Sequence, residues 1–204
     1  MSGGRRLGVL GGSFDPIHHA HLFAAEAAAA AFGLERVLLV PASQSPLKAG
    51  PVASANHRVA MARLAAAANP LLEVSTVDVD RPPPSYTADT LALLAARYPG
   101  ADLFLVIGLD ALRDLLEWRE PERVLDLCHV VAVSRPGFPL AVPPEIAARL
   151  GGRAAQIRLL EIPLLEISST DVRRRIMAGE PVRYLLPDAI AAYVREHGLY
   201  RAGD

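Results

Sequence analysis

The sequence predicts an α/β fold: a doubly wound parallel sheet with a C-terminal helical appendage. Three observations carry that prediction. Short β-rich runs alternate with helical windows along most of the chain. Several runs are apolar on both faces, as expected when helices cover both sides of a parallel sheet. The final segments, "SSTDVRRRIMAG" and "LPDAIAAYVREHG", are helical with no strand between them.

Each element has a local reason. The strands are read at Leu7–Leu10, Arg36–Val40, Leu72–Val79, Leu103–Gly108, His129–Ser134 and Ile157–Ile162, runs rich in Val, Ile and Leu. His21–Phe32 is an alanine-rich helix stopped by Gly33. Ser54–Ala68 ends at "NP", and Thr87–Tyr98 ends at "PG". The last two helices start at N-cap residues and are expected to fold back on the sheet. With no repeats or low-complexity linkers, residues 1–204 read as one domain: an α/β core to about 165 and C-terminal helices from about 166.

Composition narrows the function classes. Half of the residues are hydrophobic (51%), which is enough for a full core, and the net charge of -1 gives no footprint for neutralising a nucleic-acid backbone. No stretch approaches the ~18 apolar residues of a membrane span, and the apolar stretch after the polar, basic start is too short for a signal-peptide core. The single cysteine, Cys128, suits a reducing compartment. The expectation is a cytoplasmic protein that binds neither nucleic acid nor membrane, with a homo-oligomer left open.

The turn after the first strand, "GGSFDPIHHAH", carries the chemistry. It is neither G-x-G-x-x-G nor a P-loop, and the second strand ends in "VPASQ" without an acidic residue for a ribose. Gly11 and Gly12 allow close backbone approach, and the following helix N-terminus offers free N–H groups to an anion. His18 and His21 are spaced to share a face, while His19 points elsewhere. Solvated or capping histidines, a metal pair, or donors to phosphate oxygens are the three readings; the absence of H-E-x-x-H or a Cys/His cluster weighs against the metal.

Gly12, Ser13, Phe14, Asp15, His18 and His21 make this turn resemble the nucleotidylyltransferase signature G-x-F-D-x-x-H-x-G-H, with Ala20 standing where the family has glycine. "ISSTDVRRRI" resembles the second signature, I-S-S-T-x-[IV]-R. "PPPSYTADTL" and "IGLDALRDLLEWRE" resemble segments of nicotinate mononucleotide adenylyltransferases. The resemblance runs nearly end to end. It implies transfer of AMP from ATP to nicotinate mononucleotide, giving deamido-NAD and pyrophosphate, with Mg2+ bridging the triphosphate and no metal ligand from the protein.

The same resemblance implies the site. His18, His21 and Arg173 are catalytic. Gly11, Gly12, Ser13, Phe14, Gly108, Asp110, Arg135, Ser168, Ser169 and Thr170 bind ATP. Asp15, Lys48, Ser85, Tyr86, Thr87 and Trp118 bind the mononucleotide. Trp118, the one tryptophan, can stack on a nicotinate ring or simply fill core. Leu47 replaces a family histidine beside Lys48, which also reads as a solvated lysine. A phosphate monoester is mostly dianionic at neutral pH, with a second pKa of ~6, so the histidines are donors rather than bases. Competing readings are another acceptor (nicotinamide mononucleotide, phosphopantetheine or a polyol phosphate), a class I aminoacyl-tRNA synthetase, for which the chain is too short, and a nucleotide sensor without turnover.

Overall fold

The computed structural model describes residues 4–44, 52–134, 141–163 and 165–201. Six strands, β1 (Arg6–Gly12), β2 (Arg36–Pro41), β3 (Leu72–Val74), β4 (Asp102–Gly108), β5 (His129–Ser134) and β6 (Ile157–Glu161), form one sheet in the order β3-β2-β1-β4-β5-β6. Every pairing is parallel. The chain winds outward from β1 to β3, then crosses back and winds the other way from β4. The crevice outside the carboxyl ends of β1 and β4 is therefore the switch point where such sheets bind ligands.

Alternation explains the two-sided apolar runs. Leu7, Val9, Leu38, Val40, Leu103 and Leu105 face one cluster, with Leu91, Leu94, Leu115 and Val124 of the helices above them. Leu10, Val37, Leu39, Phe104 and Val106 face the other, against Ala25, Ala28, Met61 and Ala65. Gly8 is required by close packing, because an added Cβ would lie 2.9 Å from Val37 Cγ2 and 3.0 Å from Leu34 Cδ1.

The eight helices of the described residues are α1 (His19–Phe32), α2 (Ala55–Ala67), α3 (Thr87–Arg97), α4 (Leu109–Arg113), α5 (Pro121–Leu127), α6 (Pro144–Leu150), α7 (Ser169–Met177) and α8 (Asp188–Glu196). Gly33 ends α1 in the left-handed region at φ 62°, and Ser54 caps α2 with its Oγ on the His57 N–H. The C-terminal helices do fold back: Val172, Ile190, Val194 and Tyr200 join the α1/α2 side of the core.

The main departures from expectation are at β1, at β3 and after β4. β1 runs on through the glycine pair, because Gly11 and Gly12 pair with Val40 and Pro41. β3 stops at Val74 rather than Val79. It is an edge strand paired over three residues, and beyond it Asp78 turns inward to bond Thr90 and Arg81 while Thr76 bonds Asp80. The segment after β4 folds into α4, a 3-10 turn (Asp114–Glu117) and α5, short helices with no long periodic stripe to announce them. Among the described residues no helix is long and apolar enough to cross a membrane.

Candidate active site

The first turn of α1 sits at the switch point. His18 is its N-cap, in extended backbone, and its N–H donates to Nδ1 of His21 at 3.3 Å. The two imidazoles stack with centroids 3.7 Å apart and 22° between planes. The expected pairing therefore forms, although His18 caps the helix instead of lying within it. Phe14, buried in the left-handed region at φ 49°, meets the His21 ring edge-on at 5.2 Å and fixes its tilt. His18 is itself buried. Loss of solvation, with a smaller push from His19, brings its pKa down to about 4, so it is neutral at pH 7. Its Nδ1 is buried and lacks a hydrogen-bond partner.

Asp15 organises the turn. Its carboxylate is only 3% exposed and accepts from the Val52 N–H (2.8 Å), the Ala53 N–H (3.0 Å) and the Tyr200 hydroxyl (2.8 Å). These three donors close the carboxylate off and tie it into the loop. Arg58, which the sequence reading passed over, is 1% exposed and threads between the loops after β1 and β2. It donates to the carbonyls of Ser13 (2.8 Å), Ala42 (2.6 Å), Ser43 (3.1 Å) and Ala53 (3.2 Å). A signal was present, since Arg58 falls on the Met61, Ala62 and Ala65 stripe where an apolar residue is due.

The second motif docks onto the first. Ser168 caps α7 through the Asp171 N–H at 3.1 Å. Ser169 Oγ donates to the Pro16 carbonyl at 2.9 Å, and Arg173 Nη1 donates to the Asp15 carbonyl at 2.7 Å. Arg173 Nη2 reaches Thr170 Oγ1 at 3.3 Å. More than 150 residues apart in sequence, the two segments share one loop. Arg174 and Arg175 turn away to Asp171 and Glu180, as a solvated face does.

Of the residues assigned to ATP, Gly108 and Asp110 line a cavity of about 190 Å³ at the ends of β4, β5 and β6, with Ala20, Phe23, Ser134 and Ile162 among its other walls. Cβ atoms added at Gly11 or Gly108 would meet nothing within 4 Å, so the backbone is open to a close-lying ligand there. Ala20 is among the residues lining that cavity. Gly12 instead faces the Phe14 ring, where an added Cβ would lie 3.0 Å away.

Of the acceptor-side residues, Ser85 sits against the loop after β2. Ser85 Oγ accepts from the Ser43 N–H at 3.0 Å, and the Ser85 N–H bonds the Gln44 carbonyl. Tyr86 caps α3, with Thr87 next to it and the Arg119 guanidinium 4.7 Å above its ring. Trp118, half-buried, packs against the second core cluster, so part of its indole does fill core. Lys48 and Arg135 lie outside the described residues. Cys128 is buried, its thiol pushed up to about 12 by desolvation, and has no place in the site.

A cytidylyltransferase-like family model matches residues 9–175. A protein of Roseiflexus sp. (strain RS-1) named probable nicotinate-nucleotide adenylyltransferase is 50% identical over 197 residues, covering 96% of this chain and 98% of its own. One of the same name from Saccharopolyspora erythraea is 48% identical over 205 residues, covering 100% and 93%. A solved structure, the Plasmodium falciparum nicotinic acid mononucleotide adenylyltransferase complexed with NaAD, superposes with a TM-score of 0.76 at 18% identity, covering 96% and 97% of the two chains; this is a likeness of fold.

Proposed function

The chain belongs to the cytidylyltransferase-like family, among its nicotinate-nucleotide adenylyltransferases, and from that premise we propose that it joins ATP and nicotinate mononucleotide into deamido-NAD and pyrophosphate. The observation that supports this most is the docking of Ser169 and Arg173 onto Asp15 and Pro16, immediately before His18. It gathers donors from two distant motifs at the switch point, where a triphosphate would lie.

The mononucleotide phosphate attacks the α-phosphorus in line, and the P–O bond to pyrophosphate breaks. The nucleophile is already largely ionised, with a second pKa of ~6, so no base is required. The barrier is repulsion between anions, and catalysis is positioning with charge stabilisation. His18, held neutral, donates one N–H to a phosphate oxygen, and His21, stacked on it, presents the second imidazole. Arg173 and the α7 N-terminus receive the departing pyrophosphate. Mg2+, when bound with the nucleotide, would be held by triphosphate oxygens and water and would supply further charge neutralisation. The Ser85–Thr87 segment and Trp118 receive the pyridine ring and its carboxylate.

Offering the protein ATP with nicotinate mononucleotide, nicotinamide mononucleotide or phosphopantetheine tests the acceptor. Deamido-NAD is expected as the preferred product; equal or greater turnover of phosphopantetheine would overturn the assignment.

A further inference from the structure

Arg173 can serve a triphosphate only if Asp15 orients it without capturing it. Its Nη1 bonds the Asp15 main-chain oxygen at 2.7 Å and makes only a long ion pair with the carboxylate, at 3.6 Å and outside hydrogen-bond range. What satisfies that carboxylate instead is two backbone N–H groups and one hydroxyl from the far end of the chain. The hydroxyl belongs to Tyr200. This residue follows α8 with φ 63°, is 3% exposed, and packs its ring in the α1/α2 core. Phenylalanine would fill the same apolar space, so the hydroxyl is the part of the side chain that serves the site.

We propose that Tyr200 is a positioning residue for the adenylyl transfer: its hydroxyl holds the Asp15 carboxylate so that Arg173 stays oriented toward the phosphates instead of collapsing onto Asp15. The proposal rests on the adenylyltransferase reading above. A carboxylate with one donor fewer has more charge to offer the guanidinium 3.6 Å away. Arg173 then closes on Asp15 and is drawn from the leaving group.

The test is a double-mutant cycle in the full chain. Tyr200→Phe is expected to lower kcat about tenfold, the scale of one hydrogen bond to a charged group. It should raise the KM for pyrophosphate in the reverse reaction, while the KM for nicotinate mononucleotide stays within about twofold because the β2 flank is untouched. In an Arg173→Ala background the same substitution should change kcat less than about twofold, since its route is already cut. Tyr193→Phe is the stability control. It removes the 2.9 Å contact between the Tyr193 hydroxyl and His57 Nδ1 on the same C-terminal segment, and should leave the kinetics unchanged. An effect of Tyr200→Phe below about twofold, or a full effect in the Arg173→Ala background, overturns the proposal. Should the Phe variant not fold, the Tyr200→Phe/Asp15→Asn double variant takes its place: with the capturing charge gone, its kcat should stay within about twofold of Asp15→Asn alone, and a larger further loss overturns the proposal. A wild-type chain that makes no deamido-NAD at all fails the functional reading first, before any variant is compared.

Discussion

Replacing Arg58 by methionine should destabilise the protein by about 3–5 kcal/mol, the range found when one partner of a buried charged network is removed. The magnitude follows from its surroundings. Four carbonyls, of Ser13, Ala42, Ser43 and Ala53, receive its N–H groups at 2.6–3.2 Å. Each hydrogen bond to a charged donor is worth roughly 1.5–3 kcal/mol, and the sum is reduced by the cost of burying the guanidinium, which already lowers its pKa. Methionine fills the space but leaves those oxygens short of a donor and removes the cation near Asp15. Urea denaturation at pH 7 measures the loss directly, and for a chain of this length a melting-point drop of about 2–4 °C per kcal/mol should accompany it. Arg58→Lys should fall between, because one ammonium lacks the planar fork that reaches four carbonyls. A loss below about 1 kcal/mol for Arg58→Met would refute the view that this side chain ties the β1 and β2 loops together.

The remaining predictions are more local. His18 has a folded pKa of about 4, below its ordinary 6.5, so the unfolded chain binds a proton between those values that the folded one does not. Its stabilising contribution is complete above pH 6.5 and falls by up to about 3 kcal/mol as pH drops toward 4. His18→Asn should flatten that part of the stability–pH curve, and coincident curves for the two proteins would contradict it. Ala20→Val, which adds bulk to the ATP-side cavity, should raise the KM for ATP about tenfold and leave that for the mononucleotide unchanged; Ala20→Gly should alter either by less than about threefold. Cys128 should resist iodoacetamide at pH 8 in the native protein and react on denaturation, as a buried thiol raised to about 12 must.

Most of the fold was legible because the sheet is buried on both faces: continuous Val/Ile/Leu runs mark β1, β2, β4, β5 and β6 within a residue or two. β3 was overextended because "STVDV" has strand chemistry, while its fate was decided by Asp78 pairing with Thr90 and Arg81 across a turn. The site's surface-facing members were readable from the histidine turn and "SSTDVRR", and the structure brings those segments together. Its supports were not. The closed environment of Asp15 depends on contacts 37, 38 and 185 positions apart, and Arg58 reaches Ser13 45 positions away; no local spacing encodes such contacts. The motif places Asp15 at the turn, and only the fold shows that its carboxylate is buried under three donors.

The central claim is that the histidine turn drives nucleotidyl transfer, and pyrophosphate release with Mg2+, ATP and nicotinate mononucleotide tests it most directly. The wild-type chain should release pyrophosphate with deamido-NAD in equal amounts, and His21→Ala should cut the rate about 10²–10³-fold, as loss of one preorganised donor does. Equal rates from the two proteins, or no release above a blank from either, would contradict the account.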